Sequence, residues 1–164
     1  MHKPFNQPYD IIALENVDST SRYLKDYVTE NRPIKPVFCT TQNQTAGYGQ
    51  QKRCWVTNSD SAIFSLAYPL EAGFELSGLL SLHIAALLHQ SLNELTPDNL
   101  YLKWPNDIFN DHGKVAGILI EQVLKKDYRA LIIGIAINRG TPELVAGSSS
   151  VAFFDLDNFF AGFF

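Results

Sequence analysis

Short apolar runs rich in β-branched residues alternate along the chain with polar, proline-containing or glycine-containing segments. Runs of this length and composition, bounded by turn residues, are typical of strands. The predicted strands cover residues 10–15, 37–41, 62–70, 100–102, 115–120 and 130–137. Apolar residues recur at helical spacing just after residue 20 and over residues 76–95, which predicts two helices. Residues 155–164 predict the start of a third helix.

Composition narrows the classes of protein that fit this pattern. The 164 residues suit one domain over residues 1–164, and 46% apolar with 18% charged residues fits a soluble globular protein. A formal net charge of −4 argues against a broad nucleic-acid-binding face. No apolar run reaches the roughly 18 residues of a membrane span, and the N-terminus lacks a signal-peptide core. We therefore predict a cytoplasmic protein that associates with neither DNA nor membrane.

The two cysteines, Cys39 and Cys54, have no paired spacing. They are predicted to be reduced thiols, as in a cytoplasmic protein, and they support no zinc site.

The stretch over residues 100–121 combines apolar strands with polar residues at the strand ends. Lys103, Asn106 and Asp107 follow one strand, a hairpin turn is predicted at residues 111–113, and Lys114 opens the next strand. Packing of apolar strands requires no such groups. The pattern is best explained by an anionic ligand held by lysine charge, with a carboxylate suited to a metal ion nearby.

Two other segments are candidates for ligand contact. Ser19 and Thr20 have the composition of a helix N-cap, and the free N–H groups at a helix start also suit a polar ligand. Residues 42–61 form a long segment without periodicity, in which two glycines allow close backbone approach and Lys52 and Arg53 add charge. The alternative for this segment is a plain flexible loop.

Five segments of the chain, taken in order, resemble the biotin protein ligases. They are VDSTSRYL, QTAGYGQ with Arg53 and Trp55 after it, KWPND, KVAGILIE and IIGIAIN, and they extend from about residue 17 to residue 138. The resemblance implies an α+β fold of the class II synthetase-like type, with a mixed, mostly antiparallel β-sheet backed by helices. It also implies a ligase that forms biotinyl-5'-adenylate from biotin and ATP with Mg²⁺. The biotinyl group would then pass to a lysine of a biotin carboxyl carrier domain.

The resemblance further implies the roles of individual residues. Lys114 would be catalytic, in contact with both the biotin carboxylate and the α-phosphate. The residues implied to bind biotin are Ser19, Thr20, Ser21, Gln44, Gly47, Tyr48, Gly49, Gln50, Lys114 and Gly117. Those implied to bind the nucleotide are Arg53, Trp55, Lys103, Asn106, Asp107 and Asn138. No metal site held by the protein alone is predicted.

Two departures from the family pattern bear on function. Ser21 stands where the family usually has Asn, and the family's Gly-Arg-Gly-Arg-Arg-Gly-Arg reads Gly-Tyr-Gly-Gln-Gln-Lys-Arg over residues 47–53. Glutamine cannot replace the charged, planar fork that arginine offers to phosphate. A non-catalytic biotin or adenylate binder is therefore one alternative, and a lipoate ligase or octanoyltransferase of the same fold is another.

The family's additional domains give further expectations. The chain begins almost at the catalytic segment, so a DNA-binding helix-turn-helix, as in a biotin-responsive repressor, is not expected. The last predicted helix is expected to be cut short, with no C-terminal β-barrel domain. A homodimer is possible.

Overall fold

The computed structural model describes residues 9–140, 146–152 and 154–163. Its strands are β1 (Asp10–Val17), β2 (Val37–Gln44), β3 (Ala62–Pro69), β4 (Tyr101–Lys103), β5 (Asp107–Asn110), β6 (Gly113–Lys125) and β7 (Tyr128–Ile137). Its α-helices are α1 (Thr20–Asn31), α2 (Leu80–Leu95) and α3 (Leu156–Phe163), and a short 3₁₀ turn covers Gln50–Lys52. Each predicted strand and helix corresponds to one of these elements.

The strands form one seven-stranded sheet in the order β1-β2-β3-β7-β6-β5-β4. β1 runs parallel to β2, whereas every other neighbouring pair is antiparallel. The parallel pair requires a crossover, which α1 provides. The predicted mixed, mostly antiparallel sheet with helices is confirmed.

Helices cover both faces of the sheet. Val37 and Cys39 of β2 pack with Leu24 and Val28 of α1, whereas Phe38 belongs to the apolar cluster on the other side, which α2 and α3 contribute to. Successive strand residues point to opposite faces, so this division follows from the alternation. Apolar residues on both sides of β7 allow it to lie at the centre of the sheet.

Several strands extend beyond their apolar runs. β6 continues to Lys125, because its pairing with β7 continues to the contact between Lys125 and Tyr128. Glu121, just beyond the predicted strand 115–120, therefore lies within β6. β2 continues to Gln44, which pairs with Val17 at the end of β1. This extension brings Gln44 beside the start of α1 and into the candidate site.

Within the described ranges, no helix is long and apolar enough to cross a membrane. The same ranges contain no group of three or more His, Cys, Asp or Glu side chains that could hold a metal ion.

Candidate functional site

A cleft of about 270 Å³ lies between the N-terminus of α1, the loop that follows β2, and the central strands β6 and β7. All of the predicted site residues line it except Gly47 and Lys103. Those that line it are Ser19, Thr20, Ser21, Gln44, Tyr48, Gly49, Gln50, Arg53, Trp55, Asn106, Asp107, Lys114, Gly117 and Asn138. Residues from distant parts of the chain thus meet in one concave site, as is usual for small-molecule sites.

One part of the cleft carries buried hydroxyl groups. Ser19 caps α1, with its side chain accepting a hydrogen bond from the N–H of Arg22 at 3.3 Å. The Thr20 N–H donates to Oε1 of Gln44 at 3.0 Å. The hydroxyls of Thr20 and Ser21 each lie within hydrogen-bond distance of Oγ of Ser65, at 2.8 and 2.9 Å. The result is a fixed polar surface within an otherwise apolar sheet.

A charged pair lies elsewhere in the same cleft. Nζ of Lys114 is 2.7 Å from Oδ1 of Asp107 and 5.1 Å from the centroid of the Trp55 ring. Gly117 makes this arrangement possible: a Cβ there would lie 2.9 Å from Cζ3 of Trp55 and 3.2 Å from Nζ of Lys114. Ordinary contacts are longer, so any side chain at this position would displace the lysine or the indole. The glycine therefore supports the position of Lys114.

Two buried polar atoms in the cleft have neither a hydrogen-bond partner nor an ion-pair partner in the part of the chain that the structure describes. They are Nε1 of Trp55, a donor, and Oδ1 of Asn138, an acceptor. The side-chain nitrogen of Asn138 donates to the Ser149 carbonyl at 3.1 Å, which fixes its oxygen in place. Because buried polar groups in proteins are nearly always paired, these two atoms are suited to a polar ligand.

The segment without periodicity, residues 42–61, contains a narrow hairpin-like turn. Tyr48 forms a β-bridge with Cys54, the Gly49 N–H donates to the Arg53 carbonyl at 2.8 Å, and the Trp55 N–H donates to the Gly47 carbonyl at 2.9 Å. Gly47 itself is not among the residues that line the cleft. A Cβ at Gly47 would meet Nε2 of Gln44 at 2.2 Å, so its role is to let the Gln44 side chain pass.

Lys103 does not join the other predicted residues. Its Nζ lies over the ring of Phe109, 4.5 Å from the ring centroid, and it is absent from the cleft lining. Lys103 is on the exposed edge strand β4, paired with Asp107 of β5. The Asp107 side chain lines the cleft, whereas the Lys103 side chain is attracted to the ring of Phe109 outside it. The side chain of Lys103 therefore lies outside the cleft lining in this structure, unlike those of the other residues implied to bind the nucleotide.

Sequence reasoning missed several residues of the site. Ser65 lies in an apolar strand, where only its place opposite α1 gives it a role. Ala146, Gly147 and Ser148 line the cleft because the Lys114 N–H donates to the Gly147 carbonyl at 3.1 Å. Nothing in their composition distinguishes them from an ordinary loop.

Comparison with known proteins identifies the family. The model of the biotin/lipoate A/B protein ligase family matches residues 13–138, and the chain belongs to that family. Bifunctional ligase/repressor BirA of Salmonella typhimurium is 34% identical over 131 residues, which cover 79% of this chain and 40% of that protein. BirA of Escherichia coli is 33% identical over 130 residues, which cover 78% of this chain and 40% of that protein. The chain thus spans about two-fifths of the length of these curated relatives.

Solved structures agree with this assignment. Biotin acetyl coenzyme A carboxylase synthetase from Helicobacter pylori, with bound biotinylated ATP, matches with a TM-score of 0.77 and 25% identity, over 96% of this chain and 72% of that one. Biotin protein ligase from Aquifex aeolicus, in complex with biotin and ATP, matches with a TM-score of 0.75 and 29% identity. The match covers 94% of this chain and 66% of that one. The predicted resemblance to biotin protein ligases is confirmed.

Proposed function

We propose that this chain is the catalytic domain of an ATP-dependent biotin protein ligase. It would form biotinyl-5'-adenylate and pyrophosphate from biotin and ATP, and then transfer the biotinyl group to a lysine of a biotin carboxyl carrier domain. The family assignment and relatives named as biotin ligases support this proposal.

The observation that carries the proposal is the position of Lys114. Its ammonium group lies in the same cleft as the buried hydroxyls of α1 and the unpaired polar atoms of Trp55 and Asn138. Adenylation brings two anions together, the biotin carboxylate and the α-phosphate of ATP. A cation at their junction lowers this repulsion and stabilises the charge that develops as pyrophosphate leaves. Lys114 would act there after its ammonium group leaves Asp107 for the ligand.

The hydroxyl groups favour biotin over lipoate. Ser19, Thr20 and Ser21 are all buried, and Gln44 joins them through its contact with Thr20. The ureido ring of biotin has two N–H donors and a carbonyl acceptor that can pair with such groups, whereas the dithiolane ring of lipoate has none. A ligand ring without such groups would gain no hydrogen bond from these hydroxyls and should bind more weakly.

The nucleotide would lie on the side of Arg53, Trp55, Asn106, Asp107 and Asn138. Asp107 is the one carboxylate among the described residues of the cleft lining, and it is paired with Lys114. This fits a magnesium ion that arrives as part of MgATP and is held mainly by its phosphates, with at most one protein carboxylate beside it.

The remaining parts of the proposal concern partners and location. A cytoplasmic site of action and a possible homodimer stay predictions. The repressor activity in the names of the BirA relatives is not carried over to this chain, whose formal net charge is −4.

Isothermal titration with biotin, lipoate and ATP tests the proposal, followed by biotin-dependent exchange of labelled pyrophosphate into ATP. We expect biotin binding and exchange that requires biotin. Binding of lipoate in place of biotin would favour a lipoate ligase. Biotin binding without exchange would indicate a non-catalytic binder.

A further inference from the structure

Tyr48 makes an unusual set of contacts for a residue in a glycine-rich loop. Its hydroxyl donates to Oε2 of Glu121 at 2.8 Å, and the other carboxylate oxygen of Glu121 accepts from Nζ of Lys25 at 2.9 Å. Nζ of Lys25 lies 5.2 Å from the centroid of the Tyr48 ring, and the guanidinium carbon of Arg22 lies 5.4 Å from it. One side chain of the loop thus meets two residues of α1 and one of β6.

These contacts attach residues 47–53 of the loop to α1 and β6, and Trp55, just after them, packs beside Lys114. At the base, Thr45 and Ala46 donate to the carbonyls of Val17 and Asp18 at 2.9 and 2.8 Å. Within the described part of the chain, the other hydrogen bonds of residues 47–53 stay inside the hairpin-like turn. Among the described contacts of residues 47–53, those of the Tyr48 side chain are therefore the ones that reach α1 and β6.

The charges around Tyr48 suit this attachment. Lys25 is paired with Glu121 and Arg22 with Asp18, so each cation beside the Tyr48 ring has its own counter-ion. Burial and the neighbouring Glu121 raise the pKa of the Tyr48 phenol, although Lys25 opposes them, so the phenol remains a donor at neutral pH. Burial lowers the pKa of Lys25, but its contacts with Tyr48 and Glu121 outweigh this and raise it, so Lys25 remains charged.

We propose that Tyr48 is a positioning residue, whose bond to Glu121 and packing between Arg22 and Lys25 hold the loop over the cleft before any ligand binds. This inference rests on the proposed function for what the loop encloses, but the contacts themselves need no ligand. Tyr48 stands where the resembled family has an arginine. In this chain Tyr48 lines the cleft and also joins the loop to α1 and β6.

Amide hydrogen exchange on the ligand-free full chain tests the proposal. The reporting amides are those of Gly49 and Trp55, whose hydrogen bonds exist only while the turn is formed. In Tyr48→Phe, which keeps the ring, we expect exchange at these amides to be roughly tenfold or more faster, because a hydrogen bond to a charged acceptor is lost. Tyr48→Ala should exchange faster still, and Glu121→Gln should resemble Tyr48→Phe.

Tyr68→Phe is the matched control, because the Tyr68 side chain is half exposed and its hydroxyl has no hydrogen-bond partner among the described residues. Exchange within Tyr128–Ile137 shows whether each variant remains folded. Unchanged exchange at Gly49 and Trp55 in both Tyr48 variants, with the fold intact, would overturn the proposal.

A kinetic measurement separates positioning from general stability. If Tyr48→Phe loosens the loop, part of the binding free energy of biotin is spent on closing it, so the variant should raise the KM for biotin more than it lowers kcat. A loss confined to kcat would contradict a positioning role. The two proposals also fail separately: a protected loop in a protein that binds no biotin would leave the role of Tyr48 standing and would refute the biotin ligase.

Discussion

Replacing Lys114 by methionine removes the ammonium group but keeps most of the aliphatic stem that packs beside Trp55. If Lys114 stabilises the charge that develops during adenylation, the rate of adenylate formation should fall by roughly 100- to 1000-fold, the usual effect of losing one such group. That range corresponds to about 3–4 kcal/mol of transition-state free energy.

The free energy of unfolding should change far less. The Lys114–Asp107 pair is closely spaced, but the two side chains keep 28% and 24% of their exposure, so water screens the pair. Such pairs contribute at most about 1 kcal/mol, which corresponds to a fall in Tm of about 2–4 °C for a domain of this size. A large loss of rate with a small loss of stability is the expected result.

Biotin-dependent pyrophosphate exchange measures the rate, and calorimetry measures Tm. Lys103→Met is the matched control, because that lysine lies over Phe109 outside the cleft; its exchange rate should stay within about twofold. Wild-type exchange in Lys114→Met, or an equal loss in Lys103→Met, would refute the reasoning.

Three further predictions concern the cleft and the thiols. Gly117→Ala should weaken biotin binding by about tenfold or more in titration calorimetry, because the new Cβ would displace Trp55 or Lys114. Gly78→Ala is the control, since a Cβ there would have no atom within 4 Å, and it should leave the affinity unchanged. Equal affinities of the two variants for biotin would contradict the geometry. Burial raises the pKa of the Cys39 thiol to about 12, so at pH 8 a thiol reagent should modify only the exposed Cys54 of the native protein. After denaturation the reagent should modify both cysteines. Two reactive thiols in the native state would be inconsistent with the burial of Cys39. Gln50→Arg should slow release of biotinyl-adenylate by roughly tenfold in stopped-flow measurements, since a charge-assisted hydrogen bond is about twice as strong as a neutral one. An unchanged release rate would mean that Gln50 does not reach the phosphate.

The elements of the fold were accessible from the sequence because their signals are local. Alternation of side chains across β2 already assigns Phe38 to one face and Cys39 to the other. The hairpin turn at residues 111–113 is likewise determined by adjacent residues. The order of strands was not accessible, because the parallel pairing of β1 with β2 depends on the path of α1 across the sheet.

The motifs indicated most of the cleft residues, and the structure decided how they meet. Lys103 and Lys114 both lie near strand ends, and only the folded sheet shows that one lysine enters the cleft while the other packs on Phe109. The contact between Tyr48 and Glu121 joins positions 73 residues apart. A short sequence window carries the preference of each residue for strand, helix or turn, but not the direction of its side chain relative to a distant segment. That direction depends on the packing of the whole sheet, which places Tyr48, Lys25 and Glu121 within reach of one another.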